Sequence, residues 1–343
     1  MPPRRILVTG ATGFVGSHLL PRLGKAFPDA ALTPCGTSPG SDVVALNLTD
    51  AASVDALVAS VQPDACVHLA AIAAVPAARR DPDLAWRVNL HGTLALARAV
   101  LRHVPACCFL FASSADIYGR SFRSGMALDE SAAPAPTNTY GATKAAADLA
   151  VGALASEGLR AVRLRPFNHT GPGQSEAFVV PAFARQIARV AAGLQPPLLQ
   201  VGALDPYRDF LDVRDVCDAY VACLHQRDAL EPGVILNLAS GTKRRIGSVL
   251  EDLLALAGVQ ARPETGAALL RPADIPVACG DAALARRQLD WAPRIPWEDT
   301  LRDVLADWRA RVEAECAEAA SGESRGVAPD PAKGFAPGPH QGP

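Results

Sequence analysis

Tyr140 and Lys144 stand four residues apart in Tyr140-Gly141-Ala142-Thr143-Lys144. On a helix that spacing puts a phenol and an ammonium on one face, where both can address one site. A phenol with a pKa of ~10 is a weak acid or base at neutral pH, and a neighbouring ammonium favours the phenolate and brings it towards working pH. Alone, such a pair is common, and surface decoration explains most occurrences of it. A second segment, Phe111-Ala112-Ser113-Ser114-Ala115-Asp116-Ile117-Tyr118-Gly119, supplies company: an apolar strand ending in hydroxyls and a carboxylate. Polar groups at the carboxyl end of a parallel strand lie where open α/β sheets bind ligands, and a serine there can hydrogen-bond a substrate oxygen beside the tyrosine.

A third segment, Thr9-Gly10-Ala11-Thr12-Gly13-Phe14-Val15-Gly16, follows a strand-like run and opens a helix. Gly10 permits the tight turn, Gly13 lets backbone approach a pyrophosphate, and Gly16 lets the helix pack on the strand. The helix end then offers its N–H groups and positive dipole to the phosphates. Gly10, Thr12, Gly13, Phe14, Val15 and Gly16 are therefore the candidates for holding a dinucleotide, against the plainer reading of a glycine-rich turn without a ligand. An acid at the end of the second strand would hold the adenosine ribose and repel a 2′-phosphate. The sequence has Cys35-Gly36-Thr37-Ser38-Pro39 instead, with hydroxyls at Thr37 and Ser38 and neither a carboxylate nor a clamping arginine. The balance leans to NADP(H), with NAD(H) the alternative.

The elements that must position these groups follow a βαβ rhythm. Strands are expected at residues 5–9, 31–36, 43–47, 65–70, 107–112 and 160–165, with helices at 14–27, 50–60, 84–103 and from about 140. The strands are continuously apolar, as strands buried on both faces are. The expected class is α/β: a doubly wound parallel sheet of Rossmann type with a smaller mixed α/β substrate-binding subdomain. Residues 1–165 form the cofactor domain and 166–318 the substrate portion, with later strands returning to the sheet. Residues 319–343 read as a disordered tail, since 321–343 hold five Gly and five Pro with Phe335 the only aromatic.

The chain has 343 residues, 49% hydrophobic and 20% charged, with a formal net charge of -2. That balance offers no basic field for nucleic acid. No apolar run approaches the ~18 residues of a membrane span, and the start leaves no room for a signal peptide. The eight cysteines show no metal-ligand spacing and read as reduced thiols of a cytoplasmic protein without a metal.

Taken together, the Thr9–Gly16 loop, His68-Leu69-Ala70-Ala71, Ser114 and the Tyr140/Lys144 pair resemble the extended short-chain dehydrogenase/reductases, the nucleotide-sugar epimerases, dehydratases and reductases. The resemblance runs from about Arg4 to Arg309. It implies Ser114, rather than Ser113, as the catalytic hydroxyl, with Tyr140 and Lys144, and Leu69, Ala70 and Ala71 beside the cofactor. Asn89 matches the family's buried helix asparagine. Asn47 and Leu48 match its adenine-facing segment, where the family has an aspartate; an amide can still bond the adenine amine. In the second half, Asn168 of Arg165-Pro166-Phe167-Asn168-His169, Val180 and Arg185 of the following helix, Arg208 of Arg208-Asp209-Phe210 and Arg271 of Arg271-Pro272-Ala273-Asp274 are implied to hold a sugar diphosphate. A guanidinium fork suits phosphate oxygens, although each arginine alone fits a surface ion pair. His169 fits either the substrate loop or a simple hydrogen-bonded loop position.

The resemblance implies reduction of the C4 ketone of GDP-4-keto-6-deoxy-D-mannose to a GDP-6-deoxyhexose such as GDP-D-rhamnose. Asp116 keeps a rival open. Dehydratases carry an eliminating Glu there, and an Asp could eliminate, contact a substrate hydroxyl or serve as a structural partner. A 4-epimerase and a non-catalytic cofactor-binding sensor are the further alternatives. Two alanine-rich helices, 84–103 and 140–157, imply a homodimer through a four-helix bundle, although packing on the chain's own sheet explains much of the same pattern.

Overall fold

The computed structural model describes residues 1–40, 42–266, 269 and 275–321. Arg271 and the tail from residue 322 onward lie outside them. In the first half the order is β1 (Arg5–Thr9), α1 (Phe14–Ala26), β2 (Ala31–Gly36), β3 (Val44–Ala45), α2 (Ala51–Val61), β4 (Ala65–His68), α3 (Val75–Arg80), α4 (Pro82–Trp86), α5 (Thr93–His103), β5 (Cys108–Ala112), α6 (Thr139–Ser156) and β6 (Ala161–Pro166). The second half holds β7 (Asn168–Thr170), α7 (Val179–Ala191), β8 (Leu198–Val201), β9 (Tyr207–Asp212), α8 (Val213–His225), β10 (Val234–Leu238), β11 (Lys243–Arg245), α9 (Ile246–Ala257), β12 (Arg262–Thr265), β13 (Val277–Ala278), α10 (Ala283–Leu289) and α11 (Trp297–Ser321).

Seven parallel strands form the main sheet in the order β10-β6-β5-β4-β1-β2-β3. Chain direction across the sheet reverses between β1 and β4, which opens a crevice at their carboxyl ends. Alternation of side chains explains why both faces are covered. Ile6 and Val8 enter one core with Leu19, Val216 and Tyr220, and Leu7 between them enters the other with Val54, Leu96 and Val151. Neighbouring cysteines divide in the same way: Cys108 belongs to the first core, and Cys66 and Cys107 to the second. They behave as small hydrophobes, and burial pushes the Cys108 thiol up to about 12.

Outside the main sheet, β9 pairs with β11, β13 and β7, and β8 pairs with β12. A third core joins Phe183, Ile187, Phe210, Leu250 and Trp308 from α7, β9, α9 and α11. The expected strand at 43–47 shrinks to Val44–Ala45, because both residues are exposed at the sheet edge and little burial extends the pairing. The expected helix 84–103 begins two residues earlier and contains a π turn at Arg87–Gly92, carrying Asn89 fully buried. Gly92 lets this helix meet the 46–48 segment, since a Cβ there would lie 2.8 Å from Leu48 Cβ. Among the described residues, no helix is long and apolar enough to cross a membrane.

Candidate active site

β1 ends in Thr9 and turns at Gly10, whose φ is +70°. A Cβ there would also meet Ala70 N at 2.7 Å, so only glycine lets the loop lie against the end of β4. At Gly16 a Cβ would come within 2.4 Å of two backbone oxygens of the same loop. Gly13 caps α1 with no side-chain hydrogen bond and no acid in the first turn, leaving the N–H groups that helix geometry orphans for an anionic acceptor. Thr12 lies over Gly36, 2.9 Å from where a Cβ would stand, and the exposed hydroxyls Thr37 and Ser38 follow. This cradle fits a dinucleotide pyrophosphate, and no carboxylate at the end of β2 opposes a 2′-phosphate.

Behind the cradle a buried chain of hydrogen bonds ties β1 and β4 to the long helix. Thr93 Oγ1 donates its proton to Asn89 O at 2.7 Å, so it accepts from His68 Nε2 at 2.9 Å. His68 Nδ1 then accepts from Thr9 Oγ1 at 2.6 Å, and the imidazole is neutral; burial first, and Lys144 second, hold it down to about 3. Asn89 extends the lattice by accepting from Ile72 N at 2.8 Å and donating to Thr143 Oγ1 on α6 at 3.0 Å. Leu69, Ala70 and Ala71 are thereby held between the cradle and the tyrosine helix.

Asn138 caps α6 by accepting from Gly141 N at 2.8 Å, which sets Tyr140 in the first turn. Ser114 follows β5, accepts from Asp116 N at 3.1 Å and stands by the Tyr140 phenol, whose pKa it lowers. Ser113, only 4% exposed, turns its hydroxyl into the interior, where Oγ has no partner. Gly141, not singled out from the sequence, makes the Ser114–Tyr140 meeting feasible. A Cβ there would stand 2.8 Å from Asp116 O, against backbone that cannot easily give. Gly141→Ala is expected to cost about 1–3 kcal/mol in urea unfolding and to lower turnover as Tyr140 is pushed from Ser114; a fully active, equally stable variant would contradict that packing.

The electrostatics differ from the expected ammonium-lowered phenol. Burial raises the Tyr140 pKa, the Asp116 carboxylate raises it further, and the Ser114 hydrogen bond opposes both. Lys144, 2% exposed, rests its ammonium 4.3 Å from the centre of the Phe111 ring. Burial holds it down to about 7, with Asp148 pulling upward. Since the folded value is depressed, the unfolded chain carries the extra proton between pH ~7 and ~10.5, and stability rises with pH there. Urea titrations are expected to show this rise, at most about 1.4 kcal/mol per pH unit, and to show it flattened in Lys144→Met. Identical profiles would exclude a depressed lysine.

Asp148 and Arg165, both missed in the sequence, form the site's buried foundation. Asp148, 0% exposed, accepts from Arg165 Nε and Nη2 at 3.1 and 2.9 Å and from Arg163 Nη1 at 3.2 Å. Arg165 also donates to Tyr118 Oη at 3.0 Å, and that hydroxyl donates to Asn237 Oδ1 at 2.7 Å. A signal was available: Asp148 follows Lys144 by four residues on the face Lys144 shares with Tyr140.

Among the expected substrate groups, Asn168 is exposed on β7, paired with Phe210 of β9. Arg208 is the second residue of that same strand and donates to Tyr207 O and Ile275 O at 2.8 and 3.1 Å. His169 hydrogen-bonds Phe167 O at 2.9 Å and stacks on Phe14 at 6.2 Å, joining the substrate loop to the cofactor helix. Val180 buries its side chain in the third core, so only its main chain can meet a ligand. Arg185 pairs with Glu176 and is not brought to Asn168 by any contact described. Asn47 Oδ1 already accepts from Thr49 N and Thr49 Oγ1 at 3.0 and 2.8 Å, leaving its donor end, not the expected acceptor, for an adenine. Leu48 is buried beneath it.

The fold and the Ser-Tyr-Lys cluster at its carboxyl edge define a Rossmann-type short-chain dehydrogenase/reductase. Residues 6–239 match the NAD dependent epimerase/dehydratase family, and the chain belongs to it. It is 38% identical over 313 residues to GDP-6-deoxy-D-mannose reductase of Pseudomonas aeruginosa, covering 91% of this chain and 99% of that one. A solved structure of RMD from Pseudomonas aeruginosa complexed with NADPH superposes with a TM-score of 0.80 at 37% identity, over 90% of this chain and 99% of that one. GDP-6-deoxy-D-talose 4-dehydrogenase of Aggregatibacter actinomycetemcomitans is 30% identical, over 81% of this chain and 88% of that one.

Proposed function

We propose that this chain reduces the C4 ketone of GDP-4-keto-6-deoxy-D-mannose with NADPH, forming a GDP-6-deoxyhexose such as GDP-D-rhamnose. The observation that carries the reading is the half-buried Tyr140 phenol, whose raised pKa keeps it protonated, set with Ser114 and Lys144 beside a dinucleotide cradle. The 38% identity to GDP-6-deoxy-D-mannose reductase over nearly the whole of both chains supports the substrate class.

When bound, the nicotinamide supplies the hydride that C4 accepts. Tyr140 Oη hands its proton to the ketone oxygen as that oxygen gains charge, and Ser114 Oγ orients the same oxygen. A raised phenol pKa suits a donor, which must reach the transition state still holding its proton. Lys144 holds the ribose hydroxyls, and a ligand oxygen accepting from it would draw its proton occupancy back up. The Gly10–Gly16 loop, with Leu69, Ala70 and Ala71, would seat the dinucleotide, and Thr37 and Ser38 the 2′-phosphate. Asn168, the main chain at Val180 and Arg208 would hold the sugar diphosphate, with Arg271 assigned to the same task from its motif. Asp116, one methylene shorter than an eliminating Glu and set beside Tyr140, contacts a substrate hydroxyl in this reading.

Residues 1–165 supply the cofactor half and 166–318 most of the substrate half, and the enzyme works in the cytoplasm. Two copies pair through the α5 and α6 surfaces, where Leu149 is 58% exposed. The test is NADPH oxidation by the purified protein with GDP-4-keto-6-deoxy-D-mannose. Consumption matched by a GDP-6-deoxyhexose is the expected result. No consumption, or conversion of GDP-mannose with NADP alone, would overturn it, the latter in favour of elimination through Asp116.

A further inference from the structure

Beside β9, away from the cradle and the tyrosine, lies a hollow of about 400 Å³ lined by Phe210, Ser240, Thr242, Arg244, Arg286 and Trp297, among others. An adjoining hollow of about 270 Å³ shares Arg244 and Trp297. Neither is lined by Tyr140, Ser114, Asn168 or Arg208.

The acids around the larger hollow are already spent inside the fold. Asp212 accepts from Arg214 N and Nε and from Thr300 Oγ1 at 2.7, 2.9 and 2.9 Å. Asp215 accepts from Arg294 N and Ile295 N at 3.0 and 3.1 Å. Asp209 accepts from Ser240 N, Gly241 N and Gly280 N. In the smaller hollow, Arg245 pairs with Glu251 at 2.9 Å, and Lys243 donates to Gly125 O at 2.9 Å.

Arg244 is different. Its guanidinium lies 4.9 Å from the Trp297 ring, which in turn stacks on Phe210 at 5.4 Å, so its plane is set before any ligand arrives. It makes no hydrogen bond to the described protein, and its Nε and the Trp297 Nε1 are buried without partners. Asp209 and Asp252 face it through space only. Arg286 contributes a second cation whose hydrogen bond to Ser240 O is long, at 3.4 Å.

A half-buried arginine whose five donors meet no acceptor among the described residues, with Nε buried, is free to bind an anion, and a planar fork held by stacking loses little freedom in doing so. We propose that this hollow is an anion site for a phosphate-bearing small molecule, held by Arg244 and Arg286 with the Thr242 hydroxyl at its rim. It is separate from the reaction proposed above, although β9 carries both Arg208 and Phe210.

Calorimetric titration of the full chain with inorganic pyrophosphate tests it. Binding is expected to persist in Arg208→Gln and to weaken by about 10–100-fold in both Arg244→Gln and Arg286→Gln. Arg244→Lys, keeping charge without the fork, is expected to recover only part of the affinity. Unchanged binding in Arg286→Gln, whose side chain is exposed and whose loss leaves folding intact, would overturn the site, as would complete loss in Arg208→Gln, which would assign all binding to the catalytic cleft.

Discussion

Tyr140→Phe is expected to lose about 10²–10⁴ in kcat while its affinity for NADPH stays nearly unchanged. The substitution removes one hydroxyl, the only group on that ring able to give a proton, and leaves the ring packing. The effect falls on kcat because the proton is needed when the C4 oxygen acquires charge, and no earlier. Ser114→Ala should lose less, since it removes orientation and one hydrogen bond but leaves the donor in place. Stopped-flow NADPH oxidation together with equilibrium titration of NADPH separates the two quantities. A Tyr140→Phe enzyme with wild-type turnover would remove Tyr140 from the chemistry, and a parallel loss of cofactor affinity would make it a binding residue.

The second large effect is structural. Asp148→Ala is expected to destabilise the fold by about 3–5 kcal/mol, because it leaves a buried guanidinium without its counter-charge. The Arg165 side chain is 3% exposed and donates through both Nε and Nη2 to this carboxylate. Asp148→Asn, which keeps an acceptor but no charge, should fall between the two. Asp148 is also the group that lifts Lys144, so its loss should lower the ammonium fraction at neutral pH and weaken NADPH binding. Urea unfolding measures the first effect and cofactor titration of the folded fraction the second. A loss under about 1 kcal/mol would mean that water reaches the pair, which would then count as a surface bridge.

Much of the scaffold was legible because its signals are local. Buried strands write themselves as short apolar runs, and β1, β4 and β5 appear within two residues of their expected ends. The Gly10-Gly13-Gly16 spacing and the four-residue step from Tyr140 to Lys144 are equally local, as each reflects the geometry of a single turn or helix. The failures share a different cause. The phenol was expected to be governed by Lys144, its neighbour on the helix, yet its pKa answers to burial and to Asp116. Asn47 was read by residue type as an acceptor, and its oxygen is taken by Thr49, two residues on.

By itself, then, the sequence determined the doubly wound sheet, the phosphate cradle and which residue types could exchange a proton, because periodicity and turn chemistry are properties of neighbouring residues. Only the tertiary structure decided where Gly141 lets two backbones touch, and that Asp148 must balance Arg165 17 residues away. It also decided which arginines are already paired and which, like Arg244, keep their donors. Burial and charge compensation are set by residues distant in the chain and adjacent in space, and the free energy of a charged group depends on that surrounding far more than on its own type.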